Sequence, residues 1–138
     1  MVTEIEKNNF FRSLFHVKKN LPSKKLSKIF KNMFPEAINA EWHEKNDHYE
    51  IIFYENDIEK IAEFDKKGNR ISLKTNLNPL FFKDDLKLIA EKYGEIMNTI
   101  LIEKENSSQY EIIVRDKELI RYLLIMDEHG NITKNEKL

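Results

Sequence analysis

The chain has 138 residues, of which 41% are hydrophobic and 34% charged, and its formal net charge is −1. That length fits one compact domain, the apolar content argues against disorder, and the near-zero charge favours neither a polyanion nor a polycation as partner. Cysteine is absent and no apolar run approaches the ~20 residues of a membrane span, which excludes disulfides, thiol nucleophiles and cysteine-based zinc sites and indicates no membrane span.

Residues 1–19 form a predicted N-terminal extension. Acidic residues come first, and Arg12 and His16 interrupt the apolar residues that follow. A secretory signal instead has a basic start and an unbroken apolar centre. The sequence as given therefore shows no export signal, and it predicts a cytoplasmic protein if Met1 is the native start.

Two segments have the apolar spacing of amphipathic helices. In the first, Ser23 is a suitable N-cap and Pro35 ends the helix. The second is expected to end at Gly94. The residues predicted to face the core from these two helices are Leu26, Ile29, Phe30, Met33 and Phe34, and Leu86, Leu88, Ile89 and Tyr93.

After each helix the apolar period falls to two, which predicts antiparallel strands. Residues 49–69 and 110–131 are similar in sequence: both begin with Tyr-Glu-Ile-Ile and both end with Asp-x-x-Gly-Asn, a four-residue turn. The two helical segments match at a constant offset as well. The sequence therefore predicts an α+β fold of two tandem αβββ-type halves, residues 20–77 and 78–138. Each half is a helix packed on one face of an antiparallel sheet, and the two halves form one compact unit.

The order of these features resembles a known family. A helix led by Leu-Pro, the Phe-Pro break at residues 34–35, Trp42, and then Tyr-Glu-Ile and Phe-Asp-x-x-Gly, in tandem, are similar to the PepSY-like family, the β-lactamase-inhibitor-like proteins of Bacteroidetes. The resemblance covers residues 20 to about 135, although the second copy has Leu101 in place of Trp42. It implies two helix-plus-sheet halves, no catalytic residues, no cofactor, and a location in the cell envelope or periplasm.

Reactive side chains form no recognisable constellation in the sequence. His43 and His48 flank a predicted turn with Glu44 and Asp47 nearby, but their spacing does not enforce a converging ligand geometry, so no metal site is predicted. The serines lack a nucleophile elbow and the three glycines are isolated, so no catalytic residue, phosphate-binding loop or cofactor is predicted and the protein is expected not to be an enzyme. The basic stretch within residues 12–31 is attributed to the solvent face of a helix, not to nucleic-acid binding.

The outer faces of the two predicted sheets, which lie away from the helices, differ in character. On the first sheet the face is mostly polar and suited to water; it comprises Glu41, His43, Glu50, Ile52, Tyr54, Glu59, Ile61 and Glu63. On the second sheet six of the nine residues are aliphatic; the nine are Ile100, Ile102, Glu111, Ile113, Arg115, Leu119, Arg121, Leu123 and Ile125. A monomer does not normally leave such a patch bare, so we expect a cover over it.

Four covers are open: the segment of residues 10–15, whose apolar side chains have helical spacing, a second copy of the chain, a foreign protein, or bending of the two sheets towards each other. The leading interpretation is a non-catalytic protein-binding module that binds a protein partner or a second copy through this face. Its predicted contact residues are Ile100, Ile102, Ile113, Arg115, Leu119, Leu123 and Ile125. The alternative interpretation is a small-molecule-binding protein with a pocket between helix and sheet.

Overall fold

The computed structural model describes residues 18–19, 23–77 and 79–138. Nine antiparallel strands form one sheet, in which their order is the order of the sequence. The elements are β1 (Lys18–Lys19), α1 (Lys24–Met33), β2 (Ala37–Glu44), β3 (His48–Glu55), β4 (Ile58–Asp65), β5 (Arg70–Asn76), a 3₁₀ helix (Pro79–Phe81), α2 (Asp84–Glu91), β6 (Glu95–Glu103), β7 (Ser108–Arg115), β8 (Arg121–Asp127) and β9 (Ile132–Lys137).

The first helix begins at the predicted cap. The hydroxyl oxygen of Ser23 accepts a hydrogen bond of 3.2 Å from the backbone N–H of Leu26, which satisfies one of the free N–H groups at the start of α1. The second helix has no side-chain cap, but Asp84 and Asp85 lie in its first turn, where carboxylates interact favourably with the helix dipole. Neither of these helices is long and apolar enough to cross a membrane.

The buried side of α2 is narrower than the sequence predicts. Leu86 and Ala90 are buried, whereas Leu88 is 63% exposed. The prediction that Leu88 faces the core is wrong because two residues along a helix correspond to a rotation of about 200°, which places Leu88 opposite Leu86. Met33 and Tyr93, also predicted to face the core, lie at the helix ends and are exposed as well.

Both helices pack on the same face of the sheet, which we call the inner face. Phe30 and Phe34 of the first half pack against Phe53 and Phe64, and half-buried Trp42 adjoins that cluster. The predicted placement of Trp42 and Phe53 on one face of their sheet is therefore confirmed. A second cluster lies beneath α2 and comprises Phe82, Leu86, Ala90, Tyr110, Ile112, Val114, Leu124 and Met126.

The expectation of two separate sheets is wrong, because β5 pairs with β6 and joins all the strands. The register between them places Leu73 opposite Glu103 and Asn76 opposite Ile100. Four strands follow each helix, one more than an αβββ unit has. This pairing satisfies two strand edges whose backbone groups would otherwise be exposed. The periodicity of a sequence indicates which side chains share a face, but it does not identify the neighbouring strand.

Equivalent turns close the β4–β5 and β8–β9 hairpins. The carboxylate oxygen Oδ1 of Asp65 accepts hydrogen bonds of 2.9 Å from the backbone N–H groups of Lys67 and Asn69. Asp127 accepts the same pair of bonds, also at 2.9 Å, from the residues two and four positions later. The Asp-x-x-Gly-Asn segments therefore form the turns that the sequence predicts.

Candidate interaction surface on the outer face

Aliphatic side chains form a continuous surface on the outer face of the sheet, opposite the helices. Residues directly opposite each other in neighbouring strands point to the same face. Ile52 lies opposite Ile61 in this way, and Ile113 lies opposite Leu123. Because β5 and β6 are paired, the aliphatic residues of both halves belong to one surface, the outer patch. Its members are Ile52, Ile61, Ile100, Ile102, Ile113, Leu123 and Ile125.

Most of the outer patch is withdrawn from solvent. Ile61 and Ile113 are only 3% and 6% exposed, and Ile52, Ile100 and Ile102 are also buried. The remaining two members, on β8, are half-buried. Neither α-helix accounts for this burial, because both pack on the inner face. One of the expected covers, residues 10–15, lies outside the described residues.

The outer face of the first half is not the solvated surface that the sequence predicts. Ile52, Ile61 and Glu50 are buried, and His43 is only 1% exposed. The prediction is wrong in two respects: polar residue types do not by themselves keep a sheet face exposed, and the first half is not a separate sheet. In the continuous sheet Ile61 lies opposite Lys74, and Lys74 lies opposite Ile102 of the second half, so the two predicted faces merge.

One of the predicted contact residues, Leu119, does not lie on the outer face of the sheet. Leu119 lies in the β7–β8 loop with φ of 66°, and it is 69% exposed. The alternation predicted for it ends earlier, since β7 stops at Arg115 and the carboxylate of Asp116 then accepts hydrogen bonds from backbone N–H groups of the loop. Arg115, in contrast, is two residues after Ile113 on β7 and shares its face, and its guanidinium forms an ion pair of 3.0 Å with Glu95 at the end of the sheet.

A cleft of about 710 Å³ lies between α2 and the inner face of β6 and β7. Its apolar lining includes Phe82, Ile96 and Leu119. The polar residues around it are Lys87, Glu91, Glu95, Thr99, Arg115, Asp116 and Lys117. In size and lining it resembles the pockets that hold small molecules.

The structure brings together a group of possible metal ligands that differs from the one considered in the sequence. His48, Glu50 and Glu63 each offer one ligand atom, and these atoms lie within 4.8 Å of one another. His43, in contrast, is buried within β2 with neither ring nitrogen hydrogen-bonded. The β3–β4 hairpin carries the signal that sequence reasoning missed: His48 and Glu50 are two residues apart on one strand, and the two-residue turn sets Glu63 opposite Glu50.

A short hydrogen bond orients this histidine. Nδ1 of His48 lies 2.6 Å from Oδ1 of Asp47. The bond stabilises the ionised carboxylate and lowers the pKa of Asp47 from its ordinary value. Since an ionised carboxylate can only accept, Nδ1 carries the proton and Nε2 faces the two glutamates.

Comparisons with known proteins define the fold. No family model and no curated protein matches the chain. A BLIP-like protein from Bacteroides fragilis NCTC 9343 has a TM-score of 0.72 and 18% identity, over 86% of this chain and 88% of that one. A DUF2874 family protein from Bacteroides uniformis ATCC 8492 has a TM-score of 0.74 and 15% identity, over 85% and 90% of the two chains.

A third similar structure comes from Bacteroides eggerthii DSM 20697 and is described as that of a proposed periplasmic protein. It has a TM-score of 0.73 and 14% identity, over 86% of this chain and 90% of that one. At these identities the likeness concerns the fold alone. The chain thus has the antiparallel fold of BLIP-like and DUF2874 proteins, in agreement with the inhibitor-like part of the predicted resemblance. The name PepSY-like has no matching family model.

Proposed function

We propose that this protein is a non-catalytic protein-binding module that acts through the outer patch. The observation that carries the proposal is the position of seven aliphatic side chains on one sheet face, opposite both helices. Full burial of a side chain of this kind is worth about 1.5–3 kcal/mol. Five of the seven are already buried in the chain, so a protein partner would gain this energy chiefly at the half-buried Leu123 and Ile125 of β8.

As part of this proposal, the two halves are copies of one unit whose binding role is concentrated in the second. The equivalent turns at Asp65 and Asp127 support the duplication. A cell-envelope or periplasmic location is also proposed, because one protein with the same fold is described as periplasmic. Fractionation of native cells tests that location: recovery of the protein with cytosolic markers alone would contradict it.

The cover in the isolated chain is a separate question. The structure places Lys19 of β1 opposite His43, so β1 forms the edge of the sheet next to β2. Residue 10 lies eight residues before Lys18, and an extended chain of eight residues reaches about 26 Å. The five strand spacings from β1 to β6 amount to about 24 Å. Residues 10–15, which lie outside the described residues, could therefore reach the part of the patch on β3, β4 and β6 but not the part on β8, and their role as a cover stays a prediction.

A comparison of two charge insertions tests the binding role. Leu123→Lys places an ammonium group in the half-buried part of the outer patch, whereas Leu88→Lys places one on the exposed side of α2. Each variant is used with the wild type to capture proteins from native lysate. We expect a specific partner to be captured by the wild type and by Leu88→Lys, and to be lost with Leu123→Lys.

Two further measurements complete this test. Thermal melts establish that both variants are folded at the capture temperature, and light scattering establishes whether the partner is a second copy of the chain. If a partner is captured equally by both folded variants, binding through the outer patch is wrong. If no protein is captured, the proposed function fails.

The cleft between α2 and the sheet favours a second candidate, a small-molecule-binding protein. Its volume of about 710 Å³ lies within the range of known ligand pockets, and Arg115 and Glu95 supply polar groups at its border. A thermal-shift screen of metabolites tests this candidate. A ligand that raises the melting temperature of the wild type, but not that of Ile96→Trp, in which the cleft is partly filled, would rank this function first.

A further inference from the structure

A histidine and two glutamates converge on the outer face of the first half, beside the outer patch. Nε2 of His48 lies 3.9 Å from Oε1 of Glu50 and 3.8 Å from Oε2 of Glu63. Both distances are too long for a hydrogen bond. They are within about 0.5 Å of the separation between two ligand atoms around a tetrahedral Zn²⁺, given metal–ligand bonds of about 2.0–2.2 Å.

The hydrogen bond to Asp47 leaves the other ring nitrogen of His48 for a metal ion. Asp47 accepts from Nδ1 at 2.6 Å, so Nε2 is the nitrogen directed at the two carboxylates. A carboxylate that holds the outer nitrogen of a histidine in this way is the usual support of a metal-binding imidazole. Nε2 and the two carboxylates can therefore serve as ligands of one cation.

The charges of the two glutamates also favour a cation at this position. Glu50 and Glu63 lie directly opposite each other on β3 and β4, an arrangement in which like charges destabilise a sheet. Nζ of Lys45 lies 2.7 Å from Oε1 of Glu50 and interacts favourably with that carboxylate. A divalent cation between the two carboxylates would stabilise both.

Two buried polar side chains lie next to the two glutamates on the neighbouring strands. His43 lies opposite Glu50, and Ser72 lies opposite Glu63, so the four side chains share the outer face. Both ring nitrogens of His43 and the hydroxyl oxygen of Ser72 are buried without a hydrogen-bond partner. Such groups carry a desolvation penalty unless they are satisfied. A metal ion and its bound water would give His43 and Ser72 a hydrogen-bonding neighbour.

We propose that His48, Glu50 and Glu63 bind a divalent transition-metal ion, with Nε2 and two carboxylate oxygens as ligands and water completing the coordination. Imidazole and carboxylate ligands suit Zn²⁺ and Co²⁺. Asp47 positions the histidine, and Lys45 competes with the metal for Glu50. The ion joins β3 to β4 beside the outer patch. This inference is independent of the proposed protein binding.

Titration of the full chain with ZnCl₂ by calorimetry, and with CoCl₂ by visible absorption, tests the site. Asp47→Asn, which removes the residue that orients the histidine, should weaken metal binding about 10- to 100-fold. His48→Gln and Glu63→Gln each remove a ligand and should weaken metal binding by more than that. Lys45→Met should strengthen binding because it removes the competing ammonium group. The matched control is Glu111→Gln, which should not change metal binding. Glu111 is the second-half equivalent of Glu50, but Gln109 and Ile125 replace the histidine and the second glutamate there.

Melting temperatures without metal separate a metal site from a purely structural charge cluster. Without metal, Glu63→Gln should have a melting temperature no lower than that of the wild type, because it removes the repulsion between two carboxylates. Zn²⁺ should raise the melting temperature of the wild type but not that of Glu63→Gln. The proposal is overturned if the wild type shows neither binding heat nor a higher melting temperature at about 1 mM Zn²⁺. It is also overturned if His48→Gln and Glu63→Gln bind as the wild type does.

Discussion

Gly68 of the β4–β5 turn lies directly against Ile29 of α1: a Cβ atom on the glycine would be only 2.7 Å from the Cδ1 methyl carbon of the isoleucine. Gly130 of the β8–β9 turn stands in the same relation to Ile89 of α2, again at 2.7 Å. Each turn therefore contacts the helix of its own half. Both glycines also have positive φ, at 98° and 91°, which a side chain disfavours.

Gly68→Ala and Gly130→Ala should each destabilise the protein. The left-handed backbone costs a residue with a Cβ about 1–2 kcal/mol, and the isoleucine must also move away from the new methyl group. Denaturant unfolding followed by circular dichroism measures the loss. Lys67→Ala, in the same turn but exposed, serves as the control and should leave the midpoint unchanged. Equal midpoints for all three variants and the wild type would contradict the proposed contact between turn and helix.

Local chemistry makes part of this fold predictable from the sequence. The start of α1 at Ser23, the Asp-x-x-Gly-Asn turns and the inner-face positions of Trp42 and Phe53 follow from capping, turn preference and alternation. These are interactions between residues close in the chain or on one face, which a pattern of residue types records directly.

The remaining features depend on contacts between distant residues. The pairing of β5 with β6 has no signal in the periodicity of either strand, and it is this pairing that joins Ile61 to the apolar surface of the second half. The group of His48, Glu50 and Glu63 depends on the register of one hairpin. Alternation predicts a strand at Leu119 because it cannot show where a strand ends, whereas β7 ends at Arg115.

The continuous outer patch changes one expected mutational result. With separate sheets, lysines at Ile52 and Ile61 would be milder than lysines at Ile113 and Leu123. Because Ile61 is 3% exposed, Ile61→Lys alone should cost more than the roughly 2–5 kcal/mol of a buried isoleucine-to-alanine change, since a charge is also buried.

The measurement is a thermal melt of three variants. Ile52→Lys/Ile61→Lys and Ile113→Lys/Leu123→Lys should both unfold the chain or lower its melting temperature strongly. Ile38→Lys, at an exposed position of β2, is the control and should melt as the wild type does. A mild effect of the first double change would restore the expectation of a solvated first face.

The turn aspartates predict a loss of stability in acid. Hydrogen bonds from Asn69 lower the pKa of Asp65, and those from Asn131 lower the pKa of Asp127, below the ordinary 3.8. A carboxyl group with a lower pKa in the folded state stabilises the fold at pH values above its unfolded pKa, near about 4. This contribution is lost as the pH falls through the folded pKa.

Melting temperatures between about pH 6 and pH 2 test this linkage. The wild type should lose stability as the pH falls below about 4, and Asp65→Asn/Asp127→Asn should lose less over the same interval because its turns have no carboxylate to protonate. At pH 6 the double variant should be the less stable of the two. Parallel curves for the two proteins would show that the turn aspartates do not contribute.

Glu59 on β4 predicts the opposite pH dependence. Burial raises the pKa of this carboxyl group from its ordinary 4.5, and its oxygen Oε1 is buried without a hydrogen-bond partner. A carboxyl group whose pKa is higher in the folded state stabilises the fold fully at pH values below its unfolded pKa. That stabilisation is lost as the pH rises through the folded pKa. At neutral pH the ionised side chain therefore destabilises the fold.

Replacing this carboxylate by its uncharged isostere should make the protein more stable at neutral pH. We expect Glu59→Gln to melt at a higher temperature than the wild type at about pH 7, and the difference to vanish below about pH 4, where the wild-type carboxyl group is protonated as well. Glu36→Gln removes an exposed carboxylate and should have little effect at either pH. A lower melting temperature for Glu59→Gln at neutral pH would mean that the ionised group is stabilised in the folded protein and that its pKa is not raised.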